Sequence, residues 1–569
     1  MPRFPRFRLL TRHFFRRFFE NDLISPAGDA HVGLSQVIGA FVTPGLLVVA
    51  LVLFKYALVH TTWQHVIDLG FDDALLYVAL SMIVLGIAAT ITWDAFFLEA
   101  RDHFILGILP VGHRLLASAK LGALGLFLAI FVGAANAVPT ALVPILMLQR
   151  ADGATFLHHW LPLTVAHAAA TLLSGAWAVL AIVALRGLLA LLLPARAFRR
   201  AGPLMQGALI LALLAWFVAL PQFLDAGRPV FDAGGWRRDW SPPMWFLGLW
   251  ETLVGQPQPA FHALAGTALV VTPATAVLVA VLVLAIPARR QSDLQASGVV
   301  LTGRRRPVGA WLGRLGGLLL ARPLERASYG FTLAGLGRST AHRLYLAAAA
   351  GAGLAWSASG FFWDYGRSGI EGLREPDPAT LAMQPTIVLF LVVAVRYAIT
   401  VPLTLPANWV FRVTERTPVR HYHAGARTAA LVIGGLAVLL LAPVHWALWG
   451  SDVAAYLGLV GLLYAWLVVE MMFCAQGKVP FTAAYVSGSI RLKTRWLLYL
   501  FSAWTLTAIP AFMEARVFRY GRFVVALPLG LVILSLGLAA WRRRLESLSP
   551  ALVFDDPADD APQTLGLFE

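Results

Sequence analysis

A charged, amphipathic stretch at residues 92–114 separates two apolar runs that are each long enough to cross a membrane. The stretch carries both charge signs, on Asp94, Glu99, Arg101, Asp102, His113 and Arg114. Ionisable side chains are expensive inside a bilayer, so each one needs a reason to be there. The stretch is therefore predicted to lie at the membrane surface, and its charges need a function.

Residue types that support metal or nucleotide binding occur only in incomplete sets. His421 and His423 form an H-x-H pair, but no third ligand lies nearby in the sequence, so we predict that they sit in a wet cytoplasmic loop. Gly477-Lys478 is followed by Val479, and it lacks the upstream glycine of a phosphate-binding loop. We therefore predict that the chain has no catalytic, cofactor or metal site and is not itself an enzyme. Any use of ATP would need another chain.

Acidic residues of one later loop alternate with arginines, which predicts a solvated surface with compensated charge rather than a catalytic site. They are Asp364, Glu371, Glu375 and Asp377, with Arg367 and Arg374. Cys474 is the single cysteine, so an intramolecular disulfide and a site of several thiolates are both excluded.

Arg396 and Glu470 are predicted to lie within membrane spans. Arg396 is about 13 Å, at the helical rise, from the inner end of its span, which is too deep for easy snorkelling. Glu470 is the obvious candidate partner, and we predict an intramembrane ion pair, with a substrate contact as the alternative. Lys55, Asp94 and Lys120 lie near span ends, where they can snorkel or pair.

The composition indicates an all-α polytopic membrane protein. Of the 569 residues 59% are hydrophobic and 13% are charged, whereas a soluble domain has about 25% charged residues. The sequence predicts twelve transmembrane helices, at about 33–58, 72–95, 116–146, 160–193, 203–222, 261–287, 344–362, 383–405, 428–449, 453–474, 496–514 and 523–541. The third and fourth are long and contain internal Gly, Pro or Arg, so each could be kinked, tilted or split.

Lys and Arg gather in alternate loops beside the apolar runs, which orients the chain by the positive-inside rule. Both termini are predicted to be cytoplasmic. The net charge of +15 therefore reports topology, and we predict no nucleic-acid partner. The predicted organisation is a first six-span half at 1–290, a basic cytoplasmic linker with an interfacial helix at 291–343, a second six-span half at 344–545 and a cytoplasmic tail at 546–569.

The two predicted halves share local features. Residues 3–20 would place phenylalanines on one helix face and Arg8, Arg12 and Arg16 on the other, which favours a helix lying against anionic lipid at the inner interface. A stretch of similar character, at 322–343, precedes the seventh span. After the second span of each half, a tryptophan is followed six residues later by a glutamate and then closely by an arginine. The two sets are Trp93, Glu99 and Arg101, and Trp409, Glu415 and Arg416.

Several stretches resemble permease subunits of bacterial ATP-binding-cassette (ABC) exporters of the second permease type, in a large form with two fused six-span halves. They are WDAFFLEARDHFILGILPV, PPMWFLGLWETLVG, RASYGFTLAGLGRSTAHRL, RYAITVPLTLPANWVFRVTE, GKVPFTAAYVSGSIRLK and the C-terminal QTLGL. In the fifth stretch, the expected cysteine near Ala483 and proline near Ser487 do not occur.

The resemblance implies a use for the charged stretches, because such permeases dock a short cytoplasmic coupling helix into a groove on the ATPase. The implied contacts in the first half are Trp93, Glu99, Arg101, Asp102 and Arg114. Those in the second half are Asn408, Trp409, Arg412, Glu415 and Arg416. Two ATPase copies would bind ATP and Mg²⁺, and this chain would act as the transport subunit. The implied location is the bacterial cytoplasmic membrane, with membrane lipids and an unidentified substrate as further partners.

Two other functions fit an apolar chain of this kind. A secondary transporter of twelve spans would normally use carboxylates at mid-membrane, and the predicted spans are poor in them. A polytopic transferase acting on lipid-linked substrates would need an acid or base on an interfacial loop, for which Asp232, Asp239 and Glu251 are candidates.

Overall fold

A computed structural model describes most of the chain, and all of its regular structure is helical. The described residues are 3–18, 30–58, 63–98, 102, 106, 111–149, 151–256, 258–285, 307–339, 342–343, 345–357, 373–403, 419–474, 478–483, 492–521 and 523–548. These residues contain no β-strand. The predicted all-α class is confirmed for this part of the chain.

The chain divides into two compact units, Met1–Val299 and Val300–Glu569. The helices of the first unit are α1 (Arg3–Arg17), α2 (Ala30–Leu58), α3 (Trp63–Ile91), α4 (His113–Met147), α5 (Gly153–Leu192), α6 (Ala195–Val218), α7 (Leu220–Asp225), α8 (Gly227–Ala233), α9 (Trp236–Asp239), α10 (Pro242–Val254) and α11 (Pro259–Ala285).

The helices of the second unit are α12 (Pro307–Leu319), α13 (Pro323–Arg338), α14 (345–357), α15 (Pro378–Leu381), α16 (Met383–Ala398), α17 (Arg420–Trp449), α18 (Ser451–Phe473), α19 (Leu492–Tyr520) and α20 (Ala526–Leu548).

Within the described residues, eight helices are long and apolar enough to cross a membrane. They are Asp68–Ile91, His113–Met147, Gly153–Leu192, Pro259–Ala285, Pro378–Ala398, Arg420–Trp449, Ser451–Phe473 and Ala526–Leu548. Leu204–Val218 and Leu220–Ala233, bent by 67°, give a ninth if they count as one span. The remaining three predicted spans overlap α2, α14 and α19, and the total of twelve stays a prediction.

The two long predicted spans are unbroken. α4 contains one π-helical segment, Leu128–Val132, and otherwise continues as α-helix across its 35 residues. α5 runs for 40 residues through Pro162. Asp152 caps α5, because its Oδ2 accepts hydrogen bonds from the backbone amides of Ala154 and Thr155.

In the first unit, α3 packs against α5 and α6, and α5 packs against α11. α1 lies on α4 through an aromatic face, in which Phe14 and Phe18 are buried. The ammonium group of Lys120, on α4, is 4.7 Å from the centre of the Phe14 ring and 5.7 Å from that of Phe18. Such a cation–π contact fixes α1 against α4. Lys120 is therefore buried rather than snorkelling to the membrane surface.

In the second unit, α13 packs against α17, α16 packs against α18 and α19, and α18 packs against α20. Gly425 allows α13 to approach α17 closely, since a Cβ atom there would lie 2.5 Å from the amide nitrogen of Tyr329. Counted by predicted span order, the same pairs pack in both units. The helix before the first span packs on the third span, the second packs on the fourth and fifth, and the fourth packs on the sixth.

Candidate functional site

The start of the first predicted coupling segment is tied to α5 by an ion pair. Trp93–Phe96 form a 3-10 turn directly after α3. Asp94 Oδ1 accepts hydrogen bonds from Arg186 Nε at 3.2 Å and from Arg186 Nη2 at 3.0 Å. Arg186 is fully buried in α5, and its guanidinium lies 4.1 Å from the centre of the Phe97 ring. A charge-assisted contact of this kind couples the position of the segment to that of α5.

The other contact residues predicted in this segment differ in their exposure to solvent, and two of them are not described. Arg114, in the first turn of α4, is exposed. Trp93 and Asp102 are 2% and 3% exposed, so in the isolated chain neither side chain offers a contact surface. Glu99 and Arg101 lie outside the described residues.

All five contact residues predicted in the second coupling segment lie outside the described residues. They are Asn408, Trp409, Arg412, Glu415 and Arg416.

His421 and His423 are buried in the first turn of α17, so the prediction of a wet loop is wrong. The loop ends earlier than expected, because α17 begins at Arg420 and packs on α13. His421 Nδ1 lies 2.9 Å from Glu325 Oε1. His423 Nε2 lies 3.1 Å from the carbonyl oxygen of Lys478. The two imidazoles have different partners, and the described residues contain no group of three or more potential metal ligands.

Glu470 pairs with arginines other than Arg396. Its Oε2 accepts a hydrogen bond from Arg542 Nε at 2.7 Å, and its Oε1 is 3.7 Å from Arg427 Nε. Arg396 Nε instead donates to the carbonyl oxygen of Met472 at 3.1 Å. The predicted Arg396–Glu470 pair is thus replaced, because the rotation of α18 presents Glu470 to α17 and α20.

The Glu470–Arg542 pair is almost completely buried, with side-chain exposures of 6% and 4%. Arg542 Nη1 also donates to Glu546 Oε2 at 2.9 Å, one turn later on α20. Because Arg427 is on α17 and Glu470 on α18, the network connects the ends of three helices. Moving these helix ends apart would separate the buried charges and leave each one uncompensated, which is costly. The network therefore holds the three helix ends in one arrangement.

A short turn at 478–483, within the GKVPFTAAY stretch, is anchored to the end of α16. Phe481 has a φ of 65°, which is strained for an aromatic residue. Its amide donates to the carbonyl oxygen of Ile399 at 2.6 Å, and its ring centre lies 5.5 Å from that of Phe331. The ring of His342 is also in contact, and burial lowers the pKa of His342. The turn therefore fixes the end of α16, after which the second predicted coupling segment follows.

A polar cavity of about 420 Å³ lies near the start of α3, at the end opposite Asp94. It is lined by Lys55, Asp72, Asp73, Leu76, Leu224, Asp225 and Arg228. Lys55 Nζ is 2.8 Å from Asp73 Oδ1, and the Tyr56 hydroxyl donates to Asp73 Oδ2 at 2.6 Å. Of the two arrangements predicted for Lys55, snorkelling or pairing, the structure shows pairing.

The three acids that a transferase would use lie in different environments. Burial raises the pKa of Glu251 to about 8, although the charge of Arg228 opposes the shift. Asp232 is exposed, and Asp239 pairs with Arg238 at 2.9 Å on the surface.

Sequence reasoning missed Arg186 as the partner of Asp94. Its signal was a lone arginine within the apolar run 160–193, which we interpreted only as a source of kinking. It also missed Arg427 and Arg542 as partners of Glu470, and both arginines lie within helices, α17 and α20.

Comparison of the chain with models of known protein families, with curated proteins and with solved structures gives no significant match.

Proposed function

We propose that this chain is the permease subunit of an ABC exporter, moving an unidentified substrate with ATP hydrolysed by a separate ATPase. The observation that supports this most is the recurrence of one packing scheme in both units. In each unit a helix ahead of the first predicted span packs on the third, and a charged segment follows the second. Two repeated halves, each with one ATPase contact, suit a partner that acts as two copies.

In the proposed mechanism, the charged segments transmit movements of the ATPase to the membrane-spanning helices. ATP binding would draw the two ATPase copies together and displace the segment that begins at Asp94. The Asp94–Arg186 pair would pass this displacement to α5, which runs for 40 residues and packs against α3 and α11. Packed helices move as rigid bodies between discrete arrangements, so a small displacement at one end biases the whole unit. The spans would alternate between inward-open and outward-open forms.

In the second unit, the turn at 478–483 contacts the end of α16, and the Glu470 network holds the start of α17 against the ends of α18 and α20. We propose that these contacts fix the two helix ends between which the other charged segment lies in the sequence.

The proposed setting is a bacterial cytoplasmic membrane crossed twelve times, with both termini in the cytoplasm. Nucleotide and Mg²⁺ would bind to the partner, because the sequence has no phosphate-binding loop. Anionic lipids would contact the exposed Arg8, Arg12 and Arg16 of α1.

The test is capture of the chain from its native host, comparing wild type with Glu99→Lys and Glu415→Lys. Unpairing a charged contact at an interface costs about 2–5 kcal/mol, or roughly thirty-fold or more in affinity, so both variants should lose the ATPase. Asp452→Lys, an exposed carboxylate on the predicted outer side, should retain it. Retention of the ATPase by both coupling variants would contradict the proposal.

A secondary transporter coupled to protons is the second candidate. The observation in its favour is Glu514, a carboxyl group that is 1% exposed within α19. Transport into vesicles that follows an imposed proton gradient without ATP would favour this candidate.

A further inference from the structure

In the second unit, four buried polar side-chain atoms have no hydrogen-bond partner among the described residues. One is Nδ1 of His445, and the other three are Oε2 of Glu514, Oε1 of Gln384 and the hydroxyl oxygen of Tyr456. Glu514 and Gln384 are 1% and 2% exposed. Buried polar atoms are nearly always hydrogen-bonded, so three that lack partners in one region are unusual.

Contacts between helices place these three residues at one level of the bundle. α18 and α19 are matched at two points, since the Tyr456 ring meets Phe518 at 5.6 Å and the Tyr464 hydroxyl donates to the carbonyl oxygen of Leu506. Glu514 lies between Leu506 and Phe518 on α19, so it is level with residues between Tyr456 and Tyr464 on α18.

Gln384, on α16, reaches the same level. Its Nε2 donates to the carbonyl oxygen of Leu457 at 2.8 Å, and a Cβ atom at Gly461 would lie 2.7 Å from the Gln384 Cδ. α16 also packs against α19. The three residues therefore lie at one level of the bundle, where side chains of α16, α18 and α19 meet.

The groups around Glu514 are neutral at ordinary pH. α18 contributes Tyr456 and Tyr464, and α16 contributes Gln384. α15, which also packs against α19, contains no titratable residue. The basic residues nearest in sequence on α19, Arg516 and Arg519, are exposed. An ionised carboxylate in these surroundings would be a buried charge without a counter-charge, which proteins avoid by keeping the group neutral. A neutral carboxyl group also supplies an O–H donor for an amide or hydroxyl oxygen.

We propose that Glu514 is a proton-binding site whose occupancy is linked to the packing of α18 against α19. The carboxyl group holds its proton while the helices are packed as described here. When they separate and water enters, the O–H bond breaks, the electron pair stays on the carboxylate oxygen and the proton passes to the water. The site does not depend on the energy source, so it holds for an ABC permease as well as for a secondary transporter.

The test is infrared difference spectroscopy of the full chain in lipid, recorded across a pH titration in H₂O and in D₂O. Wild type should show a protonated-carboxyl C=O band near neutral pH that shifts in D₂O. The comparison is made in a Glu251→Gln background, because burial raises the pKa of Glu251 to about 8 and its carboxyl group would otherwise contribute to the band. In this background, Glu514→Gln should lack the band, and Glu514→Asp should retain it at a shifted frequency. Glu470→Gln serves as a control, because Glu470 is paired with Arg542 and should not contribute to the band. In the Glu251→Gln background, a band that is unchanged by Glu514→Gln, or no band at all, would overturn the proposal.

The link to packing is tested with Ala515→Cys in a Cys474→Ser background. Raising the pH should increase the rate of labelling by a small polar thiol reagent several-fold more in this protein than in the same protein carrying Glu514→Gln. The second protein corrects for ionisation of the thiol itself. Equal increases in the two proteins would refute the link.

Discussion

Neutralising Asp94 should destabilise the protein more than neutralising Arg186, although the two side chains form one ion pair. Arg186 is fully buried, whereas the Asp94 side chain is 55% exposed. Asp94→Asn removes the carboxylate that accepts two hydrogen bonds from the buried guanidinium. Arg186→Met leaves a carboxylate that water can still reach, next to an apolar side chain that fits the same space.

The magnitude follows from this asymmetry. Removing one partner of a buried pair costs about 3–5 kcal/mol. Because Asp94 is half solvated, its attraction is weaker than in a fully buried pair, and we expect about 2 kcal/mol for Asp94→Asn. Replacing a buried charge with an apolar residue is often neutral or stabilising, so Arg186→Met should stay within about 1 kcal/mol of wild type.

The assay is thermal unfolding of the purified chain in detergent, followed by tryptophan fluorescence. Asp94→Asn should unfold several degrees below wild type, and the double variant should return close to the level of Arg186→Met. Under the proposed function, both single variants should also weaken coupling to the ATPase, because each one loses the Asp94–Arg186 contact. The reasoning would be refuted if Asp94→Asn unfolded at the wild-type temperature while Arg186→Met unfolded at a clearly lower temperature.

Three further predictions address packing, pH and topology. Gly425→Ala should destabilise the second unit by about 1–3 kcal/mol, because the added Cβ would overlap the backbone of Tyr329. Gly458→Ala is the control, since its Cβ meets open space and should not destabilise the unit. The unfolding temperatures of the two variants test this difference. Folding raises the pKa of Glu251 to about 8. The contribution of Glu251 to the free energy of unfolding is therefore fully present at acidic pH, below the unfolded pKa, and is lost as the pH rises through about 8. Unfolding measured across a pH series should show this loss in wild type and not in Glu251→Gln. In a Cys474→Ser background, cysteines at Asp68, Asp232 and Asp452 should react with an impermeant reagent from outside, and those at Thr302 and Glu546 should not; the inverse result would reverse the topology.

The sequence predicted the helical class and most membrane-length segments, because apolar runs are set by the cost of placing polar groups in lipid. It could not predict ion-pair partners. Glu470 pairs with Arg542 and Arg427 rather than Arg396 because helix rotation and packing decide which side chains meet. Residues far apart in sequence, such as Asp94 and Arg186, give no local signal of their contact.

Glu514 shows a second limit. A search for apolar runs ends a span at a charged residue, so the predicted eleventh span stopped at Glu514. α19 continues to Tyr520, and Glu514 is buried in it at the level where side chains of α18 and α19 are in contact. The first turn of α17 shows the reverse error, since charged residues before the apolar run were assigned to a loop although they begin the helix.

The most direct test of the central claim asks which polypeptide handles ATP. The chain should be purified from its native host and exposed to an ATP photoprobe, both in the captured complex and alone. We predict that the label appears on a second polypeptide with a phosphate-binding loop, that hydrolysis requires this polypeptide, and that the isolated chain stays unlabelled. Labelling of the isolated chain, or substrate transport that persists when no ATPase is present, would contradict the account.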